Sequence, residues 1–85
     1  AQFDAHLARH AGDWRAYNNR GNAWRDLGEL ERALADYRRA AELHPRYALA
    51  LGNSAVVLGD LGRVREARDT LRAALALVPD DAELH

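Results

Sequence analysis

His6 and His10 stand four residues apart, the spacing by which one helix face can chelate a metal ion. In a zinc protease the residue after the first histidine is glutamate; here it is Leu7, and no third ligand is evident. The pair therefore reads as ordinary surface histidines. Ser54, the only serine, lies inside a helical pattern without the strained turn that exposes a nucleophile, so no Ser-His-acid triad is expected. Gly21, Gly28, Gly52, Gly59 and Gly62 fall at helix contacts and turns rather than in a phosphate-cradling loop after a strand. His44, just before a proline, is expected only to cap carbonyls, and the terminal His85 gives no reading. The expectation is no catalysis, no metal and no cofactor.

Attention shifts to the elements that carry these residues. Tyr17, Gly21, Trp24 and Leu27 recur at intervals of three and four, drawing one stripe along a helix that Asp13 caps and Gly28 stops. A second amphipathic run begins at Glu29, with Leu30, Ala33, Leu34, Tyr37, Ala40, Ala41 and Leu43, and Pro45 ends it. The same pair returns over 48–61, broken at Gly62, and 64–77, broken before Pro79. Laid over each other without a gap, residues 14–47 and 48–81 agree at Ala16, Asn19, Asp26, Leu27, Gly28, Ala33, Arg38, Ala40, Leu43 and Pro45 of the first copy. This is an internal repeat of 34 residues, a helix-turn-helix unit that buries its apolar face only by stacking on its neighbour. Gly21 is expected to face Ala33, and Ala55 to face Ala67. Tyr37 and Leu71 are expected as knobs between helices, beside Ala40 and Ala74.

Composition limits the classes of function. Eighty-five residues at 48% hydrophobic and 29% charged suit one small folded domain rather than a disordered chain. No apolar run approaches the roughly 18–20 residues of a membrane helix, so no membrane partner is expected. Zero cysteines exclude disulfides and thiolate metal sites, and the cytoplasm is the expected compartment. A net charge of -1, with the 12 arginines scattered among 13 acidic residues, argues against nucleic acid. The absence of lysine, isoleucine and methionine beside abundant arginine and alanine reads as genome composition.

The pattern resembles the tetratricopeptide repeat family. The first copy matches its slots through Tyr17, Gly21, Trp24, Ala33, Tyr37 and Pro45, and the second through Leu51, Ala55, Leu58, Ala67, Leu71 and Pro79. The resemblance implies an all-α, right-handed α-solenoid of antiparallel helix-turn-helix repeats, acting as a protein-interaction scaffold. Arg20 and Ser54 occupy slots where the family has leucine, so wetter packing between repeats is expected.

In that family, one face of each first helix lines a concave groove that receives extended peptides or partner helices. The matching slots here are Arg15, Asn18, Asn19, Asn22, Arg25 and Asp26, then Leu49, Gly52, Asn53, Val56, Gly59 and Asp60. Of these, Arg15, Asn18, Asn19, Asn22, Arg25, Leu49, Asn53 and Val56 are the expected peptide contacts. Asparagine carries both donor and acceptor, so Asn22 and Asn53 suit the amides of a peptide backbone. They also match two slots of the carboxylate-clamp subclass that binds chaperone C-termini, but Asn18 stands where the clamp has lysine, and chaperone binding is not assigned. The groove is expected to be polar and basic over the first repeat and apolar over the second, suiting a ligand with an acidic or C-terminal end and an apolar segment.

Residues 2–12 read as the second helix of a preceding partial repeat, since Phe3 and Leu7 lie 34 residues before Tyr37 and Ala41. Asp80 and Glu83 have capping-box spacing, announcing a further helix over 82–85. With no initiator methionine, the chain is expected to be a piece of a longer array. Its open ends, at Phe3, Leu7, Leu71 and Leu75, are expected to be sticky. Self-association through them is therefore one alternative function. A regulatory segment of a larger enzyme is another.

Overall fold

Asp13 begins the first full repeat by accepting a hydrogen bond from the Ala16 backbone N–H through its carboxylate, the N-cap that the sequence predicts. The structure, a computed structural model, describes residues 2–10 and 12–77. Every described element is an α-helix: α1 (Gln2–Arg9), α2 (Trp14–Asp26), α3 (Leu30–Leu43), α4 (Ala48–Asp60) and α5 (Val64–Leu77). Each packs on the next in chain order. Pro79, the Asp80–Glu83 pair, the 82–85 helix start and the Phe3 side chain lie outside the described residues.

The two hairpins close alike. Gly28 and Gly62 adopt φ of 79° and 81°, a left-handed conformation that only glycine takes without strain. Around Gly28, the Glu29 N–H donates to the Trp24 carbonyl at 2.8 Å and the Gly28 N–H to that of Arg25 at 2.9 Å; Arg63 and Gly62 repeat this onto Leu58 and Gly59. This paired closure satisfies the carbonyls that a helix end orphans and reverses the chain within two residues.

The core lies between the repeats, where Ala33, Leu34 and Tyr37 of α3 meet Val57 and Leu58 of α4, with Trp24, Leu30, Leu61 and Ala67 packed around them. Val57 and Leu58 are fully buried, each contributing about 1.5–3 kcal/mol by leaving water. Alanine at positions 33, 40 and 50, all at zero exposure, lets the helices approach. Arg38 of α3 reaches Glu66 of α5 at 3.7 Å, tying successive second helices together.

Three expectations change. A Cβ on Gly21 would meet Tyr37 rather than Ala33, because the tyrosine ring lies across the α2 backbone. Leu7 is only 5% exposed, because α1 lays this face on α2. The two slots that usually hold leucine are satisfied rather than wet. Arg20 forms a two-pronged ion pair with the buried Asp36, both contacts at 2.7 Å, and the buried Ser54 donates to the Ala50 carbonyl at 2.9 Å. His44 caps α3 as expected, its backbone N–H donating to the Ala40 carbonyl at 2.9 Å, while its ring packs against Trp14 and Tyr47.

Candidate peptide-binding face

Because residue 21 has no side chain, the buried Tyr37 ring can lie against the α2 backbone and bring its hydroxyl to Asn22. There the hydroxyl donates to Asn22 Oδ1 at 2.5 Å. Burial pushes the phenol's pKa above its ordinary value, and the positive charge of Arg25 opposes that shift. The phenol therefore remains a neutral donor at physiological pH. With its oxygen accepting from Tyr37, the exposed Asn22 keeps its NH2 group outside that bond, and Arg25 on the same helix is exposed as well. The local chemistry is donor-rich, matched to a carbonyl or carboxylate.

Asn18 departs from the expected role. It is 3% exposed, and its Oδ1 accepts from Asn53 Nδ2 at 3.1 Å. Buried and bonded to Asn53 of α4, Asn18 is a strut between repeats rather than an open ligand contact. The half-buried Asn53 keeps its Oδ1 and a second N–H outside that bond.

The remaining residues expected at the face are exposed: Arg15, Asn19, Leu49 and Val56, with Asp26 and Asp60 at the helix ends. Arg15 lies over the Trp14 ring at 4.7 Å from its centroid. Trp14 in turn meets His44 and Tyr47 edge-on at 4.3 and 4.4 Å, forming an aromatic cluster where α2, the α3 end and the α4 start converge. A Cβ at Gly52 or Gly59 would meet nothing within 4 Å, so the α4 side of the face is open above a bare backbone. The sequence reading missed both the Tyr37 hydroxyl and this cluster. A signal for the first was present: tyrosine at 37 accompanies glycine at 21, whereas the smaller Leu71 accompanies Ala55 in the second repeat.

The residues of the alternative chemistries are engaged elsewhere. His6 Nε2 donates to Asp13 Oδ2 at 2.6 Å, and the His6 and His10 rings stack at 4.7 Å. Among the described residues no three metal-ligating side chains gather. The Ser54 hydroxyl is held inside its own helix. No described helix is long and apolar enough to cross a membrane.

Paired antiparallel helices of one period, stacked in chain order, define a helical-repeat solenoid of the interaction class. Tetratricopeptide repeat profiles match residues 14–47 and 49–85, and the chain belongs to that family. It is 38% identical over 61 residues to MJ0572, an uncharacterised protein of Methanocaldococcus jannaschii, the match spanning 72% of this chain and 71% of that protein. Among solved structures it is similar to the TPR2B domain of yeast Sti1 in complex with pHsp70, with a TM-score of 0.85 and 29% identity. That match covers 96% of this chain, which spans 63% of the length of the Sti1 chain.

Proposed function

We propose that this chain is a protein-interaction scaffold that holds an extended peptide along the α2 and α4 face, with no catalytic step of its own. Support for the coarse role comes from family membership and from the likeness to a domain solved with pHsp70. The observation that carries this reading is the Tyr37–Asn22 bond, which occupies the oxygen of the exposed Asn22 amide and leaves its NH2 donors outside that bond. Donors fixed before binding lose little entropy when an acceptor arrives. The peptide is therefore anchored by a carboxylate or backbone carbonyls at Asn22 and Arg25, with Asn53 next along the face. Its apolar portion lies over Leu49 and Val56, both exposed in the free chain. Arg15 adds positive charge, and Asn19 a further amide. Nucleic acid and membranes are not partners in this reading, and the cytoplasm is its compartment.

The test is selection from a random displayed peptide library, followed by titration of chosen peptides into the parent, N22A, R25A and N53A, with folding checked by circular dichroism. Selected peptides should be acidic at one end, lose about tenfold or more in affinity with R25A, and shift the amide signals of Asn22 and Asn53. Binders indifferent to all three substitutions, or no binders at all, would remove the groove from the function.

A further inference from the structure

The arginines of the first hairpin are of two kinds. α2 and α3 carry six of them. Four meet a carboxylate: Arg20 binds Asp36 at 2.7 Å, Arg39 meets Glu42 at 3.1 Å, Arg38 meets Glu66 at 3.7 Å and Arg32 meets Glu29 at 3.9 Å. Arg15 and Arg25 meet none among the described residues, and both are exposed on α2.

Arg15 is also the one whose position is prepared by aromatic neighbours. Its guanidinium lies 4.7 Å over the Trp14 ring, and that ring meets His44 and Tyr47 edge-on at 4.3 and 4.4 Å. A guanidinium stacked on an aromatic face keeps its in-plane N–H fork free for a bidentate acceptor and loses little freedom when one arrives. Arg15 and Asn22 are seven residues, two helical turns, apart and so share one stripe of α2, and Arg25 follows one turn later. At 1.5 Å of rise per residue, Arg15 stands about 10 Å from Asn22 and about 15 Å from Arg25 along the helix.

We infer that Arg15 is a specificity-determining residue of the groove, receiving an acidic side chain three or four residues before the carboxylate that Asn22 and Arg25 hold. The inference rests on the peptide-binding reading above and adds a register to it. An extended chain advances about 3.3 Å per residue, so about 10–15 Å spans three or four residues. Such a chain also sends alternate side chains to opposite sides. The Asn18–Asn53 bond ties α4 to α2, and on α4 the slots of Arg15 and Asn22 are filled by the exposed Leu49 and Val56. The ligand class is therefore a peptide with two acidic groups at a set spacing, its acids over α2 and its apolar side chains over α4.

A glutamate scan tests the inference. Synthetic peptides of leucine and glutamine in alternation, each with a free C-terminal carboxylate, carry a single glutamate moved stepwise away from that end. Titrated into the 85-residue chain, they should bind most tightly with glutamate three or four residues before the terminus, about tenfold above the all-glutamine control. R15Q alters an exposed side chain, so it should melt like the parent and flatten that peak to the control level. R15K, which keeps the charge without the fork, should retain only part of the peak. R25Q should weaken every peptide alike and leave the peak in place. Equal affinity at all glutamate positions, or a peak that survives R15Q, would overturn the inference; uniform weakening by R25Q would then leave the groove reading standing. Absence of binding by every peptide would overturn both.

Discussion

The ring of Tyr37 occupies the space that a methyl group on Gly21 would need: a Cβ there would stand 2.6 Å from Cε1 and 2.8 Å from Cδ1. Both ends of this contact are buried, so neither side can swing into solvent to relieve it. Gly21→Ala should therefore overpack the first hairpin and cost about 1–3 kcal/mol in urea melts. The cost should shrink in a Tyr37→Leu background, which recreates the Ala55–Leu71 pairing of the second repeat. Strict additivity of the two changes would mean that the close contact does not govern the packing.

The Tyr37 hydroxyl joins this core contact to the groove. Tyr37→Phe should lower stability by about 0.5–1.5 kcal/mol, the usual net worth of one hydrogen bond, and weaken a selected acidic peptide because the Asn22 amide is free to turn. Asn22→Asp makes the complementary test: it keeps the acceptor for Tyr37 but deletes both donors. That variant should fold like the parent and lose the peptide, and retained affinity would contradict the assigned amide orientation.

The Asp13 carboxylate is held below its ordinary pKa of 3.8, chiefly by the hydrogen bond from His6 and then by that from the Ala16 N–H. Since its folded value lies below its unfolded value, the ionised group favours the folded state, and the effect is fully present above the unfolded pKa. It is lost as pH falls through the folded value. The melting-temperature gap between the parent and Asp13→Asn should be flat from neutral pH to about pH 4 and then close on further acidification. A gap that stays constant into strong acid would rule out the linkage.

Ala33 and Ala67 occupy the same repeat slot, but their surroundings differ. Ala33 has no exposure beneath α4, whereas the half-buried Ala67 borders the open α4–α5 cleft. Leucine at 33 should cost about 1–3 kcal/mol by overpacking, and leucine at 67 should be nearly neutral or fill the cleft. Equal losses in parallel thermal melts would show that the second face is already closed.

The helical repeat was legible because its signals are local: glycine at 28 and 62 ends helices, proline at 45 stops one, and the intervening stripes have helical spacing. What lies between helices was harder to read, because it depends on their rotation and offset. The slot of Asn18 reads as a groove position, and its bond to Asn53, 35 residues away on α4, appears only once the repeats are placed side by side. Arg20 likewise looks misplaced until α3 brings Asp36 to it from 16 residues away. Tyr37 reads as a core residue from its apolar ring, and its hydroxyl reaches Asn22 only because position 21 is bare.

The turns at Gly28 and Gly62 close their helices entirely with backbone hydrogen bonds, and a Cβ at either glycine would meet nothing within 4 Å. The Gly28 corner, flanked by the exposed Leu27 and Glu29, is thus a self-contained joint, whereas Leu61 beside Gly62 packs on the core. The Gly28 corner is a natural insertion port: a tag or guest domain spliced there would hang outside the stack and leave the Asn22 face in register.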